Sequence, residues 1–241
     1  TSGLTLLGLS ISLFTGLANA AIPSELKLDY AYYAPTSLVV KEQKLLEKAL
    51  PKTKIKWVFS QGSNRSLEYL NSGSTDFAST AGLAAVLSRA NGSSIKTVYI
   101  QSQPEWTVLV VNKDSNIKSL KDMKGKKIAS TKGTDPFLFT LQALDTIGLG
   151  KRDVELVHLQ HPDGKTALER KQVDAWAGLD PLMASAQAQS GTKLLYRNVS
   201  FNSYSVLSVK DQFAKSSPEA IEAVIKAYEQ ARKWAKANPD K

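Results

Sequence analysis

Apolar positions along this chain fall into short runs that switch between two spacings. Leu26 to Tyr33 alternates residue by residue, the period of a strand, until Ala34-Pro35 breaks it. Leu38, Val39, Leu45, Leu46, Ala49 and Leu50 then recur at helical spacing and predict one helix over 38–50, ended by Pro51. Further strands are predicted over 54–59, 77–79, 95–101 and 106–111, with helices over 65–71 and 81–90. After a helical turn over 118–125, strands are expected over 127–130, 154–159, 175–178 and 193–196. Helices over 137–147, 164–171 and 181–189 separate them, the last with Pro181 at its first position. A strand over 204–209 precedes a long amphipathic helix, Pro218 to Ala237. This alternation predicts an α/β fold of mixed sheets covered by helices, with ligand beyond the carboxyl ends of the strands.

Two stretches 98 residues apart follow the same plan. Leu70 to Gly82 and Leu168 to Pro181 each run from a helix end through a polar turn to an Asp, Asp76 or Asp174. A very short apolar strand and the start of another helix follow. Two such units predict two similar lobes, each offering a helix N-terminus to a shared space. Unpaired N–H groups and a partial positive charge there favour an anion. The lobes are drawn at 21–110 and 111–200, joined by strands near Val110-Val111 and Asn198 to Tyr204. Residues 201–241 then supply a crossover strand and a C-terminal helix returning to the first lobe.

Five strand-to-helix junctions carry small polar residues, and the candidate site is drawn from them. They contribute Tyr33, Gln61, Gly62, Ser79, Thr80, Ala81, Gly133, Thr134, Asp135 and Asp180. Hydroxyls donate hydrogen bonds, and Gly or Ala lets a ligand approach the backbone; the same residues also serve as plain helix caps. Trp106, Trp176 and Tyr204 lie beside these turns and either wall an apolar part of a ligand or pack in the core. Asp180 and Glu105 read either as structural partners or as acceptors for a ligand ammonium. Closing two helix N-termini on one place is unfavourable without an anion between them, so ligand is expected to stabilise closure.

Composition narrows the function. Leu4 to Ala20 is an uncharged apolar run ending Ala18-Asn19-Ala20, the form of a leader with a small-x-small cleavage site. A partial export signal over 1–20 is therefore expected, with a soluble, periplasmic, monomeric product from a chain read as a fragment at both ends. The absence of Cys removes thiol catalysis, disulfides and Cys-ligated metals. Net charge is +9, but the Lys residues are dispersed and the six Arg scattered, which speaks against nucleic acid and for mild attraction of anions. His158 and His161 lack carboxylates at metal-site spacing and read as surface residues, so neither a metal nor a cofactor is expected. No nucleophile–base motif is present, which points to binding rather than catalysis.

Several segments together resemble the aliphatic sulfonate/taurine branch of ABC-transporter substrate-binding proteins. They are Asn71-Ser72-Gly73-Ser74-Thr75-Asp76-Phe77, the run Leu120 to Ala129, Gly133-Thr134, Val173-Asp174-Ala175-Trp176, Asp180-Pro181 and Trp234 to Pro239. The resemblance runs from about Lys27 to the end. It implies a type II periplasmic-binding-protein fold, two lobes with mixed sheets joined by a two-strand hinge. It also implies delivery of a small anion, a sulfonate, to an inner-membrane ABC permease. Many members place Trp before the Asp-Pro pair, where this chain has Leu179. Nitrate and pyrimidine-precursor binders share the fold. So do pyrimidine-synthesis enzymes, which carry a Cys-rich segment absent here, and regulator domains, which carry a helix-turn-helix.

Overall fold

The structure, a computed structural model, describes residues 22–240, so the leader expected over 1–20 lies outside them. The first part of the chain forms β1 (Glu25–Tyr30), α1 (Pro35–Glu42), α2 (Leu45–Ala49), β2 (Lys54–Phe59) and α3 (Ser63–Ser72). It continues through β3 (Phe77–Ala81), α4 (Gly82–Ala90) and β4 (Ile95–Ser102). The second part forms β5 (Leu109–Val111), β6 (Lys127–Ser130), α5 (Asp135–Asp145) and β7 (Glu155–His158). It ends with α6 (His161–Glu169), β8 (Ala175–Ala177), α7 (Leu182–Ser190) and β9 (Lys193–Tyr196). The chain then returns through β10 (Ser205–Lys210), α8 (Asp211–Ser216) and α9 (Pro218–Ala237).

Two five-stranded sheets result, ordered β2-β1-β3-β10-β4 and β7-β6-β8-β5-β9. In each, four of the five strands run in one direction and one is antiparallel to both its neighbours: β10 in the first sheet, β5 in the second. Those two strands are the ones that have just crossed between lobes, through residues 103–108 and 197–204. The first crossing thus lies a few residues before the expected Val110-Val111. β5 is shorter than the predicted strand because Trp106 and Thr107 belong to the crossing.

The repeated Asp has the same task in both lobes. Asp76 accepts the Lys27 N–H (2.8 Å) and its own N–H returns to the Lys27 carbonyl (2.7 Å). Asp174 does the same with Lys127, at 2.8 and 2.9 Å. Each closes the start of a parallel strand pair where the ladder would otherwise leave backbone groups unpaired.

The first core lies under α9, whose Ile221, Val224, Tyr228 and Ala231 form one buried stripe against Leu26, Leu28, Phe77, Leu207 and Val209. In the second lobe, Phe139, Ile128, Leu144 and Met123 fill one side of the sheet, and Trp176 with Leu168 and Met183 the other. The single helix expected over 38–50 is two, because Lys44 takes a left-handed conformation (φ 53°) between α1 and α2. Pro181 precedes α7 rather than opening it. The short polar helix α8 lies outside the elements that the sequence pattern predicts.

Candidate functional site

The cleft between the sheets is built mainly from the strand-to-helix junctions. On the first lobe, α3 opens at Gly62-Ser63 with no side chain capping its N-terminus. Ser63 Oγ accepts the Ala81 N–H (2.9 Å) and ties α3 to the end of β3. Tyr32 donates its hydroxyl to the Gln61 carbonyl (2.6 Å), fixing the turn before the helix. A Cβ on Gly62 would stand 3.1 Å from His161 Nε2 of the second lobe and 2.8 Å from Asn64 Oδ1. Gly62 is needed for space, since its extended backbone (φ −178°) suits any residue. Gly133, by contrast, adopts φ +79°, and a Cβ there would meet the Asn64 Cβ at 3.7 Å.

On the second lobe, α6 opens at Gln160-His161, also without a side-chain cap. His161 is buried, which overturns its reading as a surface residue; His158 is exposed. The ring lies between Thr131, whose Oγ1 is 3.1 Å from Nδ1, and the Gly62 turn. Burial lowers its pKa to about 3, so it is neutral near pH 7. Its Nε2 has no hydrogen-bond partner among the described residues.

Asp135 lies where the N-termini of α4 and α5 approach one another. Its carboxylate accepts from Trp106 Nε1 (3.0 Å), the Ser203 N–H (2.9 Å) and the Ser203 hydroxyl (2.7 Å). The Ser203 oxygen in turn accepts the Leu83 N–H (3.2 Å), and the Tyr204 carbonyl accepts the Gly82 N–H (2.8 Å). The chain thus supplies its own carboxylate at this junction, the anionic partner expected from a ligand. Desolvation raises the Asp135 pKa, and its three donors oppose that shift.

Beside these turns a cavity of about 380 Å³ opens between the lobes. Tyr32, Tyr33, Pro35 and Trp106 give it apolar walls, and Glu105 and Asp180 stand at its edge. The sequence-predicted residues Tyr33, Glu105, Trp106 and Asp180 therefore come together. Glu105 is held by Arg197 (3.0 and 2.6 Å) in an ion pair joining the two crossings, which lowers its pKa. Asp180 accepts the Ala184 N–H (3.1 Å) as a helix cap; desolvation raises its pKa.

Other candidates are engaged elsewhere. Trp176 belongs to the core, fully buried against Gly164, where a Cβ would come within 2.8 Å of its ring. Tyr204 uses its carbonyl on α4 while its side chain is exposed outside the cavity. The backbone of Ser79 is internal: its carbonyl accepts the Tyr33 hydroxyl (3.1 Å) and its N–H donates to Asp29 (2.8 Å). Thr80 is buried, with Oγ1 unpartnered among the described residues. Thr134 donates its hydroxyl to the Thr131 carbonyl (2.6 Å), while Gln61 is exposed. Sequence reasoning missed His161 as a cleft residue. Gln160-His161-Pro162 is a sixth junction with the same X-Pro helix start as Asp135-Pro136, and that shared start is the signal in the sequence.

Two lobes, two antiparallel crossover strands and a cleft at the strand ends define the class of two-lobed periplasmic-type binding folds. Within that class the chain belongs to the NMT1/THI5-like family, whose model matches residues 54–241. It is 31% identical over 225 residues to a protein of Escherichia coli K12 assigned as an aliphatic sulfonates-binding protein, covering 92% of this chain and 70% of that protein. A Bacillus subtilis 168 protein with the same assignment is 30% identical over 208 residues, 84% of this chain and 63% of that one. Among solved structures, the alkanesulfonate-binding protein of Xanthomonas axonopodis pv. citri bound to MOPS superposes with TM-score 0.85 at 26% identity, covering 91% of this chain and 76% of the other. The periplasmic aliphatic sulphonate binding protein of Escherichia coli gives 0.77 at 29%, with 90% and 71% covered. Among the described residues no helix is long and apolar enough to cross a membrane.

Proposed function

We propose that this protein is the solute-binding component of an ABC importer, capturing a small organosulfonate between its lobes and handing it to a membrane permease. The observation that carries this reading is the pairing, in one cleft, of uncapped helix starts with an aromatic cavity. A sulfonate stays ionised and accepts hydrogen bonds without offering a proton, so backbone N–H groups and hydroxyls suffice to hold it. Its organic part suits Tyr32, Tyr33 and Trp106. The relatives assigned as sulfonate binders support the same ligand class.

In this reading the anion lies near the backbone of Gly62, Ser63 and Asn64 of the first lobe and Gly133 and Thr134 of the second, with the ligand's carbon atoms against the Trp106 side of the cleft. Ser79, Thr80, Ala81 and Asp135 shape the site from behind rather than touching ligand. Closure is a hinge motion about the two crossings, favoured by ligand binding to both lobes at once. The protein acts as a monomer in the periplasm.

The test is a thermal-shift panel on the protein as isolated. Ethanesulfonate, taurine and MOPS should raise Tm, since each binds only the folded state. If nitrate or a pyrimidine shifts Tm and no sulfonate does, the ligand class is wrong.

A further inference from the structure

His161 carries an acceptor that the fold leaves without a hydrogen. Thr131 has one hydroxyl proton and gives it to the Leu159 carbonyl at 2.7 Å. Toward His161 Nδ1, 3.1 Å away, the Thr131 oxygen is therefore an acceptor, and Nδ1 carries the ring proton. A neutral imidazole has one N–H, so Nε2 presents a bare lone pair. That nitrogen is buried against Gly62 and has no partner among the described residues. On the opposite lobe Asn64 Oδ1 is likewise buried and unpartnered, and it bears on the same Gly62 backbone. One unpartnered acceptor from each lobe thus borders the Gly62 turn.

Two acceptors at one junction are costly to close over unless something donates to them. A plain alkanesulfonate has no hydrogen to give. A ligand with a hydroxyl or ammonium group beside its anionic group satisfies the N–H groups of α3 with one end and these acceptors with the other.

Resting on the sulfonate reading above, we propose that His161 is a specificity-determining residue that selects sulfonates carrying a hydrogen-bond donor over plain alkanesulfonates. The donor enters while the lobes are parted, because Nε2 is closed over when they meet.

The test is isothermal titration of three two-carbon probes: ethanesulfonate, 2-hydroxyethanesulfonate and taurine. The wild type should bind the hydroxyl or ammonium probe about tenfold or more tightly than ethanesulfonate. His161→Leu fills the site without an acceptor and should erase that preference, while His161→Gln, whose amide reaches the Nε2 position, should keep part of it. Circular dichroism checks that both variants fold. The wild-type series decides the matter even if a variant does not fold, since equal affinity for the three probes would overturn the proposal. So would a His161→Leu variant that weakens all three equally, which is the result for a bond made only between the lobes. Proton uptake with ethanesulfonate, seen as a heat that depends on the buffer, would overturn it too, since solvent would then supply the hydrogen. If none of the three binds, the sulfonate reading falls and takes this proposal with it.

Discussion

Each lobe buries a titratable side chain behind the cleft, Asp29 in the first and His161 in the second. Asp29 accepts from Ser60 Oγ (3.0 Å), Ser66 Oγ (2.5 Å) and the Ser79 N–H (2.8 Å), so both its oxygens are engaged by β2, β3 and α3 elements or their ends. His161 has one nitrogen engaged and one bare. A fully partnered buried group holds a scaffold together; a half-partnered one is an expense that a structural role does not explain. The same contrast separates the helix starts. The α4 start is occupied by Ser203 and Tyr204, and that of α7 by Asp180, whereas α1, α3, α5 and α6 have no side-chain cap.

The most damaging way to test this division is to remove the first group. Asp29→Ala leaves two hydroxyls and one N–H unpaired inside the first lobe and should cost about 3 kcal/mol in urea unfolding. An effect below about 1 kcal/mol would mean that the hub is dispensable and that satisfaction does not mark a scaffold. Next comes Asp135→Ala, which strips the acceptor from Trp106 and Ser203 where the lobes meet. It should cost about 2 kcal/mol and shift Trp106 fluorescence toward that of a wetter indole. Unchanged fluorescence would show that Asp135 does not hold the indole.

The paired turns offer a smaller and sharper comparison. Asp76→Ala and Asp174→Ala should each cost about 1 kcal/mol and speed hydrogen exchange at Lys27 N–H and Lys127 N–H respectively. Asp76 should be the larger effect, because its bond is partly buried and that of Asp174 is exposed. Equal costs would mean that burial does not set the strength of these bonds.

These turns also mark how far the sequence could be read. Short apolar runs between Gly, Pro and polar turns placed most elements, since period and punctuation are local properties. The two Asp units are a local sign of two lobes. Their purpose was read as preparing helix N-termini, yet Asp76 and Asp174 face backward, to the first strands of their sheets. Parallel pairing is non-local, and nothing in the local pattern names Lys27 or Lys127 as partners. For the same reason Asp135 read as a ligand contact: Ser203 lies 68 residues away in sequence. Trp176 looked equally suited to core or cavity until its neighbour Gly164 was fixed in space. The break at Lys44 has no Gly or Pro to signal it, which is why one helix was expected where two stand.

The smallest expected effect is the wild type's own response to acid, and it follows from the opposing signs of the two buried groups. Burial raises the Asp29 pKa to about 6 from an ordinary value of 3.8. In that interval the folded state holds a proton that the unfolded state has released. The contribution of Asp29 is therefore fully present below pH 3.8 and is lost as pH rises through about 6. Burial lowers the His161 pKa from 6.5 to about 3, so the unfolded chain takes up the proton first. The contribution of His161 is present above pH 6.5 and is lost as pH falls toward 3. One proton of difference changes stability by up to about 1.4 kcal/mol per pH unit, and between roughly pH 4 and 6 the two slopes oppose each other. Urea unfolding of the wild type at pH 6, 5 and 4 should show little net slope from this pair. Asp29→Asn leaves His161 uncompensated, so that variant should lose stability on acidification relative to wild type. His161→Leu leaves Asp29 uncompensated and should gain stability relative to wild type over the same range. The remaining carboxylates are common to all three proteins and cancel in the differences. Parallel curves for the three would mean that neither group is buried as described.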